Sequence, residues 1–172
     1  YNVGKIDLGP YLGTFSTNSI EGTRLNFGLR TSENFNPHYS LGGSLGYGFK
    51  DEEWKYSVYG QYKFNTKYRT ILGGGLLKDL YLFGVYSHIY LIKENMRSTG
   101  EDSFIAAIFK RYHSDRRAML YQWEIYIEKE WRRGFMTKFR YEYDELREGL
   151  YVPFIHNGEH VERIYNNALH LR

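Results

Sequence analysis

The stretch Tyr39-Ser40-Leu41-Gly42-Gly43-Ser44-Leu45-Gly46-Tyr47-Gly48-Phe49, followed by Trp54-Lys55-Tyr56-Ser57-Val58-Tyr59-Gly60-Gln61-Tyr62-Lys63-Phe64, decides the fold. In the first run Tyr39, Leu41, Leu45, Tyr47 and Phe49 share one parity, and Ser40, Gly42, Ser44, Gly46 and Gly48 the other. In the second, Trp54, Tyr56, Val58, Tyr62 and Phe64 alternate with Lys55, Ser57, Tyr59, Gln61 and Lys63. Successive side chains of a strand point to opposite faces, so each run reads as a strand with one apolar and one polar side. The polar link Lys50-Asp51-Glu52-Glu53 is short enough for a hairpin. Pairing Phe49 with Trp54 sets Tyr47 by Tyr56 and Leu45 by Val58 on one face. On the other it sets Gly48 by Lys55, Gly46 by Ser57, Ser44 by Tyr59 and Gly42 by Gln61. A slip by one residue would mix the faces, so the pattern specifies which side is which.

A second hairpin follows the same rule. Met119, Tyr121, Trp123, Ile125, Ile127 and Trp131 alternate with Gln122, Glu124, Tyr126, Glu128 and Glu130; then Phe135, Phe139, Tyr141 and Tyr143 alternate with Lys138, Arg140, Glu142 and Asp144. Arg132-Arg133-Gly134 suits a three-residue loop with glycine in the left-handed position, which sets Trp131 by Phe135, Ile127 by Phe139 and Glu128 by Lys138. Lys129 falls on the apolar side near the turn, where its long stem can carry the charge to water.

Weaker strands are expected over residues 5–13, with Pro10 marking an edge, bulge or irregularity. Others are expected over 23–31, where Arg24 and Arg30 take the polar side, and over 69–77 and 103–112. Residues 81–97 read equally as a strand, a long loop or a short amphipathic helix. A strand begins again near Asn167, and the chain ends at Arg172, so we expect a contiguous part, of about eight strands, of a larger barrel. The chain opens on Tyr1 without an initiator Met, as a processed product or an excised piece would. No repeat, linker or domain boundary divides the 172 residues.

Composition narrows the class. Three Pro and 42% apolar residues argue against a disordered chain, and zero Cys excludes a disulfide scaffold, thiol chemistry and a Cys-based zinc site. No apolar run approaches a membrane helix, but barrel strands alternate and average out as polar, in keeping with a mean hydropathy of −0.59. A net charge of +3 with no run of basic residues gives no argument for nucleic acid. Aromatics stand near the strand ends, with Leu, Val and Gly between them, and the opposite face is rich in Gly and Ser. This is the layout of an antiparallel transmembrane β-barrel with aromatic girdles. On that reading the apolar rows named above meet lipid. Arg24, Arg30, Lys55, Tyr59, Gln61, Lys63, Glu124, Glu128, Lys138, Arg140 and Glu142 face a lumen whose mixed signs favour a hydrated or plugged interior over an ion-selective pore. A soluble lipocalin-like barrel, with its aromatics lining a ligand pocket, is the alternative.

The runs Ile20-Glu21-Gly22-Thr23-Arg24-Leu25, Gly46-Tyr47-Gly48-Phe49-Lys50-Asp51-Glu52 and Glu128-Lys129-Glu130-Trp131-Arg132-Arg133-Gly134-Phe135 resemble Bacteroidota outer-membrane proteins that carry an N-terminal carboxypeptidase-regulatory-like domain. Those proteins end in a barrel of unassigned function similar to the BamA/TamA surface-antigen type. The resemblance implies a bacterial outer-membrane location, membrane lipid and other outer-membrane proteins as partners, and a scaffold role in envelope biogenesis, protein assembly, secretion or transport. An autonomous porin-like channel is the second reading. Its motifs are structural and transfer no catalytic residue.

Three further patterns suggest chemistry and are set aside. His156-Asn157-Gly158-Glu159-His160 spells an inverted zinc-protease order, but that motif needs a helix, and Gly158 with nearby Pro153 predicts a loop. Gly73-Gly74-Gly75 lacks the residues of a phosphate loop. Ser87-His88 and His113-Ser114-Asp115 are adjacent in sequence, which is not the geometry of a triad. We therefore expect no enzyme, no metal and no cofactor.

Overall fold

A computed structural model describes residues 2–9, 14–18, 20–32, 34–64, 67–82, 117–149 and 153–172. The strands are β1 (Asn2–Val3), β2 (Ile6–Gly9), β3 (Phe15–Asn18), β4 (Gly22–Thr31), β5 (Tyr39–Gly48), β6 (Trp54–Phe64), β7 (Thr70–Leu82), β8 (Arg117–Glu130), β9 (Met136–Arg147), β10 (Ile155–His156), β11 (Glu159–His160) and β12 (Arg163–Leu171). The fold is all-β and antiparallel. Ten strands form one sheet in the order β1-β2-β4-β5-β6-β7-β8-β9-β12, with β3 also on β4, while β10 and β11 make a separate ribbon. Among the described residues the two ends of the sheet do not pair, so it is not closed.

β2 and β3 lie along the same edge of β4. Gly9 pairs with Gly28 and Phe15 with Leu25, so the two strands take successive stretches of β4. Of the strand expected over 5–13, Ile6–Gly9 form β2, which pairs with β4 and β1, and residues 10–13 lie outside the described residues.

The first hairpin differs from the expected register by two residues. Trp54 pairs with Tyr47 rather than Phe49, and with it Tyr56 meets Leu45, Val58 meets Gly43 and Tyr62 meets Tyr39. Phe49 lies in the turn, which Gly48 N–H closes by donating to Glu53 C=O at 3.2 Å. The face of every residue survives, because the shift is even. The inner face selects this register. A Cβ on Gly42 would stand 2.5 Å from Tyr59 Cζ, so only glycine fits beneath that ring. The expected alignment would have put Ser44 there. Ser44 meets Ser57 instead, with Oγ to Oγ at 2.7 Å.

The second hairpin has the expected register, Ile127 by Phe139 and Glu128 by Lys138. Arg132–Gly134 form a single 3-10 turn with Gly134 at φ +77°, and Trp131 N–H donates to Phe135 C=O at 2.6 Å. β7 pairs directly with β8 from Thr70–Lys129 to Leu82–Arg117. The two strands are neighbours, and residues 83–116 connect them. The ambiguous segment 81–97 therefore begins as β7, whose last residues are Tyr81 and Leu82, and the rest of it lies outside the described residues, as does the strand expected over 103–112. With β7 beside β8, the turns 50–53 and 132–134 fall at opposite ends of the sheet. We call them the 50–53 end and the 132–134 end.

The final strand is longer than expected. β12 pairs with β9 from Arg163–Arg147 to Leu171–Phe139. The His156–His160 motif is no loop either: Ile155–His156 and Glu159–His160 pair across Asn157 (φ 50°) and Gly158 (φ +85°). Asn-Gly in left-handed conformations is the preferred two-residue hairpin turn, and that fixes the shape of this stretch.

Candidate functional site

The sheet bends hard enough to give it an inside. Arg24 on β4 donates to Asp79 on β7 through both terminal nitrogens, at 2.6 and 3.1 Å. Three strand spacings on a flat sheet come to about 14 Å, beyond the joint reach of these side chains, so β4 to β7 must curl around them.

The inside is ionic, and its densest part lies at the 50–53 end. Lys55 is 0% exposed; its Nζ stands 2.9 Å from Glu21 Oε1 and is paired with Asp51. Glu21, also fully buried, accepts from Asn18 Nδ2 at 2.5 Å and from Arg24 NH1 at 3.3 Å. The local sequence builds this cradle. Asn18 Oδ1 accepts from the backbone N–H of Ile20 and Glu21, at 3.1 and 2.8 Å, folding the β3–β4 turn, and Gly22 (φ +66°) completes it. Lys50 N–H then donates to Glu21 C=O at 2.8 Å, laying that turn against the β5–β6 turn. A buried charge is tolerable when paired and hydrogen-bonded, and every charge in this group is.

A second group crosses β8 and β9. Arg140 stands 3.6 Å from Glu124 and 3.2 Å from Glu142, and Gln122 Nε2 donates to Asp144 at 2.7 Å. Tyr126 lies over Gly73, where a Cβ would come within 2.5 Å of its Cζ, and reaches across β7 to donate to Gln61 at 3.3 Å. Near the 132–134 end Arg69 pairs with Glu128 at 3.3 Å, and at the open edge Arg30 pairs with Asp7 at 3.1 Å. The interior is not wholly polar: Leu77 and Leu120 are buried together, with Tyr81 and Leu146 against them.

Among the residues expected inside, Lys55, Tyr59, Glu124 and Arg140 are buried, and Arg24, Gln61, Glu128, Lys138 and Glu142 are partly buried. Arg30 and Lys63, near strand ends, are exposed. The rows expected outside are exposed at Tyr39, Leu41, Leu45, Phe49, Trp54, Tyr56, Val58, Phe64, Trp123, Ile125, Ile127, Trp131, Phe135 and Phe139. Tyr47, Tyr62, Tyr141 and Tyr143 on the same rows are half-buried by their neighbours' rings, such as Tyr47–Trp54 and Tyr39–Tyr62 at 4.8 Å and Trp123–Tyr141 at 5.2 Å. Sequence reasoning missed Asn18, Glu21, Asp51 and Asp79 as members of the interior network. Asp51 read as a polar turn residue, and Asp79 sits in a stretch where alternation fails.

As chemistry, these groups neutralise one another. Ser87-His88 and His113-Ser114-Asp115 lie outside the described residues. His160 Nε2 stands 2.7 Å from Glu148, an ion-pair approach without hydrogen-bond alignment, and no cluster of three metal-ligating side chains occurs among the described residues. Compared with known protein families, curated proteins and solved structures, the chain matches none.

Proposed function

We propose that the chain is a contiguous part of a β-barrel crossing a bacterial outer membrane, and that it serves as a scaffold in envelope biogenesis, assembly, secretion or transport. The observation that carries this reading is the inversion of ordinary burial along single strands. On β6, Lys55 is 0% exposed while Val58 is 56% exposed. A water-soluble sheet has no reason to present Leu41, Leu45, Val58, Ile125 and Phe139 as one continuous surface, and large exposed apolar patches mark a contact with something apolar. The height of the surface fits a bilayer. On the outer face Lys78, across from Tyr121, and Lys129 bracket Trp123, Ile125 and Ile127. Residues 121 to 129 span about 27 Å along the strand, or about 20 Å at a typical barrel tilt, against an apolar band of about 25 Å.

The scaffold role over an open channel is favoured by the pairing of interior charges and by Tyr59 and Tyr126 lying flat over glycines. The resemblance to barrels of the BamA/TamA surface-antigen type supports the same choice. Tryptophan fluorescence tests the membrane reading, since all three tryptophans, Trp54, Trp123 and Trp131, are on the exposed rows. Refolded into phosphatidylcholine vesicles, the protein is expected to lose much of its emission when the acyl chains carry bromine. Unquenched emission, with the protein folded in buffer, would favour the soluble ligand-binding barrel. Conductance in planar bilayers at the level of an open pore would replace the scaffold role with the channel.

A further inference from the structure

The two ends of the sheet differ in how their cations are used. At the 50–53 end Lys55, Arg24 and Lys78 each hold a carboxylate, Lys78 with Glu53 at 2.6 Å. At the 132–134 end the turns β6–β7 and β8–β9 lie side by side: Glu130 N–H donates to Arg69 C=O at 2.7 Å, and Arg132 Nε donates to Tyr68 Oη at 3.2 Å. This contact gathers Lys67 and Arg69 with Lys129 and Arg132, which are far apart in sequence. Arg69 holds Glu128. Lys67, Lys129 and Arg132 are exposed, and among the described residues none of the three meets a carboxylate. Lys129 Nζ sits instead 4.3 Å above the Trp131 ring, and Lys67 Nζ 5.9 Å from the Tyr68 ring. Trp131 and Phe135 flank the group and are exposed.

We infer that Lys67, Lys129 and Arg132 form a docking surface for the anionic headgroups of membrane glycerophospholipids. The inference rests on the membrane reading above. Trp131 and Phe135 occupy the height at which aromatic side chains meet the headgroup level. Lys129 springs from the lipid-facing row and turns its ammonium to that same level. Arg132 and Lys67 stand on the two adjoining turns, both against Tyr68, so the same end of the sheet carries three exposed cations that meet no carboxylate among the described residues. A basic residue beside an anionic surface strengthens association severalfold, and each of the three adds to that attraction. Among the described residues the acids nearest the β8–β9 turn are Glu128, held by Arg69, and Glu130, which makes no ion pair with any of the three cations.

The test uses the full chain in mixed vesicles in which either phosphatidylcholine or phosphatidylglycerol carries the brominated chains at equal mole fraction. Brominated phosphatidylglycerol is expected to quench beyond its share, corresponding to a preference on the order of tenfold, and added salt should remove the excess. The triple variant Lys67→Gln, Lys129→Gln, Arg132→Gln should quench equally with both lipids. The exchange Lys67→Arg, Lys129→Arg, Arg132→Lys should keep the preference, which guards against a neutralised variant that fails to insert. Equal quenching of the unaltered protein by both lipids would overturn the inference and leave the membrane reading intact. A preference that persists in an inserted triple-Gln variant would overturn the assignment to these residues. No quenching by either lipid would overturn the membrane reading and this inference with it.

Discussion

Lys55 and Val58 stand three residues apart on β6, one fully enclosed and the other more than half exposed. That order is the one the proposed membrane reading calls for, and the reverse of what burial from water favours. The difference between the faces is one of mechanism as much as polarity. The inner face is held by a small number of specific partners, Lys55 with Glu21 and Asp51, or Arg24 with Asp79. The outer face needs only to be apolar, and its partners are interchangeable. Damage should therefore be local and severe inside, and dependent on the surrounding medium outside.

The largest effect is expected for Lys55→Met. It takes away the cation that Glu21 and Asp51 share and leaves Glu21 with Arg24 alone, at 3.3 Å; breaking a buried pair from one side costs about 3–5 kcal/mol. Urea titration of the folded protein in detergent should show a matching fall in the midpoint. A change below about 1 kcal/mol would mean that water reaches Lys55. Next comes Val58→Arg, expected to cost about 2–4 kcal/mol in a bilayer. The same substitution on a surface bathed in water costs within about 0.5 kcal/mol, so refolding yields in vesicles separate the two descriptions of that face. Gly73→Val places a branched side chain where Tyr126 lies and should cost about 1–3 kcal/mol by overpacking. Restoring room with Tyr126→Ala in the same chain should recover part of it, which a double-mutant cycle measures. The smallest effect is expected for Gly158→Ala. Its left-handed turn is strained by a Cβ, at about 1 kcal/mol, but the β10–β11 ribbon is separate from the main sheet, so the global midpoint should stay within error while amide exchange in the ribbon rises.

Much of the architecture was legible because alternation is a property of each strand alone. The face taken by Leu45, Val58, Ile127 or Phe139 needs no knowledge of neighbours. The β8–β9 register was legible too, since Arg132-Arg133-Gly134 admits few turn geometries. The β5–β6 register was not: outer partners are equivalent under a shift of two, and the deciding fit, Tyr59 over Gly42, belongs to the inner face. Leu77, Leu120 and Tyr81 were hidden for another reason. Where both sides of β7 and β8 carry apolar groups, as in Ala118-Met119-Leu120-Tyr121, period two disappears. The interior network was the least visible part, because Asp79 meets Arg24 only through the bend of the sheet.

The shift of two residues in the β5–β6 hairpin has a consequence for how such a wall changes over time. The two strands can slide past one another in steps of two while Lys55 stays enclosed and Val58 stays outside. A slip of one would set the apolar row of one strand against the polar row of the other. Register drift at this hairpin is accordingly quantised, while residues inserted within the turn itself only lengthen the loop.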